Sequence, residues 1–431
     1  MLDSRDALVV LTDTIPWEFF DKELAPYYSD KGRPANPIRL MVGLLMLKQL
    51  KDLSDEELVL QVKHNPYYQY FCGFETFQVT TPCHPTDLVY FRKRIGKKGV
   101  NKIFEMSVKL HGADAEEKRV IIDTTVQEKN ITYPTDGKLA IKMIAFLQRL
   151  AKREDLQLRR TYIKEIKGHR LSLRFFRHPK KRKKARAAIK RLRTIVGILI
   201  RNISRELSEE KLLKYQETFE LFDKVRNQQM KDKNKVYSIH EQHVYVISKG
   251  KDHKQYEYGT KASIVTAYKS GVIVGVAAHD KNEHDSKTLD LALESANSNR
   301  DTPILEAVCD RGYRGRKEVL GTNISIPGTV LKRDSEYQKE KKRKMFRRRA
   351  AIEPIIGHLK SDHRLSRNYL KGFVGDEINL LMAATAFNLK KWMNNYLQML
   401  LALLFGLVFL LVWQEKIPTG ELSLMIWKLF Q

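Results

Sequence analysis

The sequence predicts a mixed α/β protein whose sheet is preceded by an all-α segment. Three observations lead there. Roughly the first 112 residues space their apolar side chains at helical intervals and place caps between them. Two apolar, β-branched runs, at 120–122 and 304–308, each lead within two residues to an aspartate, Asp123 and Asp310. Late in the chain, a basic stretch at 346–360 carries one carboxylate, Glu353, among arginines. Read as one helix, it sets Phe346, Arg349, Glu353 and Lys360 close to a single face.

Taken in order, Pro37 opens a helix whose stripe is Ile38, Leu40, Met41, Leu44, Leu45 and Leu47. Ser54 and Glu57 form a capping box for a second helix, DEELVLQVKHN, and the pair is spaced like a helix-turn-helix, as pairs in any helical bundle are. A third helix begins near Thr86; its Arg92, Arg94 and neighbouring lysines are candidate phosphate contacts, while Tyr67, Tyr68, Tyr70, Phe71 and Phe74 are read as core. The strand at 118–125 is expected to deliver Asp123 at its end. From about 138 to 227 the pattern is helical and basic, densest at 178–186, and Lys180, Lys181, Arg182, Lys183 and Lys184 are expected to touch nucleic-acid backbone. Strand character returns at 242–248, and the runs 256–267 and 272–278 form a hairpin. Asp285 or Ser286 is expected to cap the helix SKTLDLALESAN; His279, Asp280, His284 and Asp285 could line an active site, but the preferred reading is of turn and cap residues. A second strand then delivers Asp310, and a short one follows at 323–326.

The chain has 431 residues and a formal net charge of +27, with an isoelectric point near 9.7. A field of that sign calls for a polyanionic partner, nucleic acid before anionic membrane. Cys72, Cys83 and Cys309 are too few for a disulfide framework and lack zinc spacing, so they read as thiols in a reducing compartment. No secretory signal opens the chain. The uncharged segment LQMLLALLFGLVFLLVW at 397–413 nearly reaches spanning length; docking on the protein itself is the preferred expectation.

Three carboxylates from separate elements, Asp123, Asp310 and Glu353, could converge on Mg²⁺ or Mn²⁺, which take oxygen ligands and keep sites for phosphate oxygens. Two such ions assist in-line phosphoryl displacement. Arg349 and Lys360, with Arg347 and Arg348 beside them, would then hold DNA phosphates.

At these residues the chain resembles the bacterial insertion-sequence DDE transposases, in the group typified by the IS-five and IS-four families. Their Tyr-x2-Arg-x3-Glu-x6-Lys signature appears as Phe346, Arg349, Glu353 and Lys360, with Phe in place of Tyr. Asp123 lies within IIDTTVQEKNITYPTD and Asp310 within CDRGYRG; the N-terminal resemblance rests on RPANPIRLMVGLLMLKQLKDLSDEELV and NPYYQYFCGF. The resemblance implies a helical DNA-binding domain at 1–112 and an RNase H-like catalytic domain at 113–395 with a basic helical insertion at about 138–235. An apolar tail follows at 396–431. It implies a Mg²⁺ or Mn²⁺ enzyme, with two ions, that cleaves transposon ends and joins them to target DNA. Its partners would be double-stranded terminal inverted repeats and target DNA, bound as a homodimer in the bacterial cytoplasm. The alternative is a transposase-derived DNA-binding protein without cleavage, which the presence of all three acids disfavours.

Overall fold

A computed structural model describes residues 2–29, 31, 34–229, 231–248 and 254–415, with side chains described through Leu403. The N-terminal part is helical: α1 (Ala7–Thr14), α2 (Trp17–Leu24), α3 (Ile38–Leu50), α4 (Asp55–His64), α5 (Pro66–Phe71) and α6 (Pro85–Lys109). Ser54 and Glu57 form the expected reciprocal cap at the start of α4, which satisfies two backbone donors that a helix leaves open. At α6, His84 accepts from the Thr86 N–H, Pro85 follows it, and Asp87 reaches back to the His84 N–H.

The described residues form one seven-stranded mixed sheet: β1 (Arg119–Glu128), β2 (Tyr245–Ser248), β3 (Tyr256–Ala267), β4 (Ile273–His279), β5 (Glu306–Val308), β6 (Glu318–Val319) and β7 (Thr322–Ser325). β3 lies antiparallel to β1 along one edge and pairs with β2 and β4 in tandem along the other. On its far side β1 runs parallel to β5, which runs parallel to β7. Strand β1 is longer than expected. Thr124, Thr125 and Val126 continue its β-branched run, and pairing holds to Glu128 against Gly259. Asp123 therefore sits mid-strand, opposite Ile264, and not at the strand's end.

Between β1 and β2 lie α7 (Asp136–Arg153), α8 (Ile163–Leu173), α9 (Arg182–Glu206) and α10 (Glu209–Asn227). Their apolar faces make a core of their own; α9 contributes Leu192, Ile195, Leu199 and Ile203 at helical spacing and turns most of its cations outward. After the hairpin come α11 (Leu289–Ser298), α12 (Glu336–Ala350), α13 (Ile352–Ser361) and the long α14 (Gly372–Glu415). Through Met393, α14 buries residues on nearly every side, because it runs between α3, α6 and β4. Buried Asn388 accepts from the Ile273 N–H at 3.0 Å and donates to the Ile273 carbonyl at 2.8 Å, closing the start of strand β4. One apolar core thus joins the N-terminal helices to the sheet, while the insertion keeps a second core.

Helix α11 packs so closely on β4 that a Cβ at Gly275 would lie 2.6 Å from the Ala296 backbone nitrogen. Backbone cannot yield as a side-chain tip can. Gly275→Ala is expected to lower stability by about 1–3 kcal/mol, read as a shifted urea midpoint. An unchanged midpoint would mean that the helix moves off the sheet at no cost.

The 397–413 segment continues α14 to Glu415, with Leu397, Met399, Leu401 and Leu403 exposed. Among the described residues no helix is long and apolar enough to cross a membrane. The side chains at 404–415 and all of 416–431 lie outside the described residues.

Candidate active site

Chain register brings the two aspartates level. In the parallel pair, Ile121 faces Val308, so continuing two residues along both strands sets Asp123 beside Asp310. Asp310 is the first residue of a tight turn and accepts from the Gly312 N–H at 2.6 Å. The third acid comes from the other side. The basic stretch is not one helix but two, α12 and α13, meeting at Ala351. Pro354 accounts for the break, since it has no N–H for the Ala350 carbonyl and its ring clashes there. Glu353 stands in the first turn of α13, which packs on β1.

All three acids meet at Arg349. Its guanidinium lies 2.9 Å from Asp123 Oδ2, 3.0 Å from Glu353 Oε1 and 3.6 Å from Asp310 Oδ2. Arg349 and Asp123 are nearly enclosed, with side chains 13% and 15% exposed, whereas Glu353 is 62% exposed. One guanidinium cannot neutralise three carboxylates, and Asp123 responds to the deficit. Burial pushes its carboxyl up to about 6; Asp310 and Asp285 push the same way, against Arg349 and the Thr124 N–H. Arg349 Nε is itself buried without a hydrogen-bond partner.

This donor set suits a hard divalent cation: oxygen ligands, an excess of negative charge and one enclosed acid. The spacing is that of carboxylates gathered on a guanidinium. Among the described residues, no group of three or more His, Cys, Asp and Glu is close enough to hold a metal as it stands. The guanidinium occupies the place at which the three acids meet.

The expected DNA contacts divide. Arg92 is corrected: it is buried and grips Asp55 with both guanidinium nitrogens, at 3.0 and 2.6 Å, so it ties α6 to α4 and cannot reach a phosphate. Arg348 is half-exposed and already engaged within the protein. It donates to the Tyr268 and Lys269 carbonyls and stacks over the Tyr268 ring, pinning α12 to the β3–β4 turn. Helix α3 is buried almost throughout and α4 opens with Asp55, Glu56 and Glu57, so this pair offers no basic reading helix. Arg94 is exposed, stacked 4.7 Å over Tyr28. Lys180, Lys181, Arg182, Lys183 and Lys184 are all exposed where α9 begins. Cations at the positive end of a helix dipole weaken the helix, so they are not there for its stability. Arg347 is exposed beside Phe346, and with Arg311, Lys342 and Arg343 they line a cleft of about 480 Å³ next to Asp310. Lys360 is half-buried on α13.

Of the loop residues read as structural, His279 and His284 are so. Buried His279 contacts Ser263 Oγ at 2.8 Å, and burial holds its imidazole down to about 4. His284 caps its own turn by accepting from the Ser286 N–H, and Asp280 is exposed. Asp285 is different. Helix α11 starts after Thr288, so Asp285 does not cap it, and its carboxylate instead meets Thr124 and Lys261 beside the aspartates. Sequence reasoning named Asp285 as a residue that could line the site but preferred it as a cap, and missed Lys261. The available signal was a lysine in the middle of β3, directly before the mostly apolar ASIVTA, where burial tolerates a charge only with an opposite one nearby.

Residues 1–94 match the family described as a transposase domain (DUF772), and residues 235–389 match the transposase DDE domain. Over 183 residues the chain is 42% identical to "Uncharacterized protein ORF8 in nfe locus" of Rhizobium meliloti, covering 41% of this chain and 88% of that protein. No solved structure matches. With both family domains in order and the acids gathered at Arg349, the chain belongs to the insertion-sequence DDE transposases.

Proposed function

We propose that this transposase cleaves the ends of its own element and joins them to target DNA, using an RNase H-like catalytic domain at 113–395 with a helical insertion near 138–235. The observation that carries the reading is the convergence of Asp123, Asp310 and Glu353, from strand β1, the turn after β5 and helix α13, on one guanidinium. These three acids would hold Mg²⁺ or Mn²⁺. When bound, a pair of such ions activates an attacking hydroxyl and stabilises the leaving oxygen of an in-line phosphoryl displacement.

The chain's own groups do the rest. Arg349 exchanges its carboxylates for a phosphate of the scissile strand, which frees the acids and places the strand against them. Arg347 and the cleft at Phe346 guide that strand, and Phe346 offers a ring face where the family's tyrosine would add a hydroxyl. The basic start of α9 holds backbone farther out. Two ends acted on together imply a dimer on DNA, working in the cytoplasm.

Purified protein incubated with DNA carrying the element's termini should cut at those termini in Mg²⁺ or Mn²⁺ and not in EDTA. Binding without cutting in either metal would replace this reading with that of a DNA-binding protein. Substituting Lys180, Lys181, Arg182, Lys183 and Lys184 by Gln should weaken end and non-end DNA alike and flatten the salt dependence, by about one unit of log–log slope per lost contact. An unchanged slope would take them off the DNA. Arg349→Ala should keep Mn²⁺ binding and slow cleavage by about 10–100-fold, the worth of one charge-assisted phosphate contact. Lost Mn²⁺ binding would instead make Arg349 the residue that holds the acids in place.

A further inference from the structure

Asp285 stands between the two aspartates without belonging to either strand. Its Oδ1 accepts from Thr124 Oγ at 3.1 Å, and Thr124 directly follows Asp123. The same Oδ1 accepts from Lys261 Nζ at 3.0 Å, whose ammonium also donates to the Glu283 carbonyl at 2.6 Å. Its other oxygen faces the turn that carries Asp310. A Cβ at Gly312 would lie 3.0 Å from Asp285 Oδ2 and 2.9 Å from Asp310 Oδ1, so the two carboxylates share the space over a residue that has no side chain. Asp285 thus touches the structure behind both metal-binding candidates, 161 residues from Thr124 in sequence.

A second observation lies beneath them. Tyr313 is fully buried, and its hydroxyl lies against Thr124, the residue whose own hydroxyl Asp285 accepts from. The Tyr313 hydroxyl lies in the field of Asp123 and Asp285, and burial first, with those charges added, keeps the phenol protonated.

We propose that Asp285 is a positioning residue of the acidic site. Through Thr124 on one side and the Gly312 turn on the other, it sets the separation of Asp123 and Asp310 into which a divalent ion must fit. Lys261 offsets part of its charge, while Asp285 still pushes the Asp123 carboxyl up alongside Asp310. The inference rests on the metal-dependent cleavage proposed above and deepens it, because groups that orient first ligands commonly govern metal affinity by about 10–100-fold.

The experiment uses the full chain and Mn²⁺, following Mn²⁺ binding by electron paramagnetic resonance and the Mn²⁺ dependence of end cleavage. Asp285→Ala is expected to raise the Mn²⁺ concentration for half-saturation about tenfold or more, in binding and cleavage alike. Cleavage at saturating Mn²⁺ should stay within about threefold of wild type. Asp285→Asn, which keeps an acceptor for Thr124 and Lys261, should recover most of the shift. Thr124→Val, which removes the hydroxyl that Asp285 accepts from, should move Mn²⁺ affinity the same way, so the test stands even if Asp285→Ala folds poorly. An unchanged Mn²⁺ requirement in these variants, with at most a lower melting temperature, would overturn the inference and leave Asp285 a structural residue. Cleavage lost at every Mn²⁺ concentration with binding intact would overturn it too, since Asp285 would then act on the reacting groups. If wild type itself shows no Mn²⁺-dependent cleavage, the proposed function fails and this inference with it; wild-type cleavage with wild-type behaviour in the variants removes the inference alone.

Discussion

Asp123→Asn, Asp310→Asn and Glu353→Gln are each expected to abolish cleavage, by at least about a thousandfold or ~4 kcal/mol of barrier, while binding to end-bearing DNA survives. The amides keep the shape of the acids and remove the charge that a divalent cation requires. The three differ in what else they change. Asp123 is enclosed and its carboxyl is already pushed up to about 6 by burial, so Asp123→Asn removes an uncomfortable charge and should melt no lower than wild type. Glu353 is largely exposed, and Glu353→Gln should leave stability where it is. Labelled end DNA read on denaturing gels in Mg²⁺ and Mn²⁺, with a mobility-shift measurement alongside, separates cutting from binding. Cleavage retained in any one variant would strike that residue from the site.

The largest expected loss of stability lies elsewhere. Lys129, one residue beyond β1, places its ammonium 2.6 Å from Asp376 Oδ1 at the start of α14, with side chains only 3% and 1% exposed. His243 and Asn368 complete the contacts of Asp376, at 2.9 and 2.5 Å, and Glu241 lies 3.4 Å from Lys129. These residues bracket the insertion, Lys129 where the chain leaves the sheet and Glu241 and His243 where it returns. The network therefore fastens both ends of the insertion to α14. Lys129→Met strands a buried carboxylate and should cost about 3–5 kcal/mol, measured by urea unfolding at constant pH. Adding Asp376→Leu to Lys129→Met should return much of that loss, since an apolar pair does not have to be desolvated. A Lys129→Met protein as stable as wild type would show that water reaches Asp376.

Local rules were legible along the chain because their partners are a few residues apart. The Ser54–Glu57 box, the β3–β4 hairpin, the basic helical insertion and the order of the acids could each be read from neighbouring residues. Helix ends were less so: Pro354 divides the expected helix at Ala351, and Asp123 lies within its strand because Thr124 to Val126 keep pairing with β3.

The chemistry of individual cations was decided only by tertiary contacts. Arg92 and Arg94 are two residues apart on a basic helix, yet one is buried on Asp55, 37 residues away, and the other stacks in the open on Tyr28. Arg348 and Arg349 are adjacent, yet one holds a turn and the other reaches Asp123 across 226 residues. No periodicity distinguishes them, because a charge takes its role from whichever opposite or polar group the fold brings within about 4 Å. The sequence by itself determined which acids could form a site and that the surface around them would be basic. Tertiary structure alone determined that Arg349 stands among those acids, and that Asp285, anchored by Lys261, stands behind them.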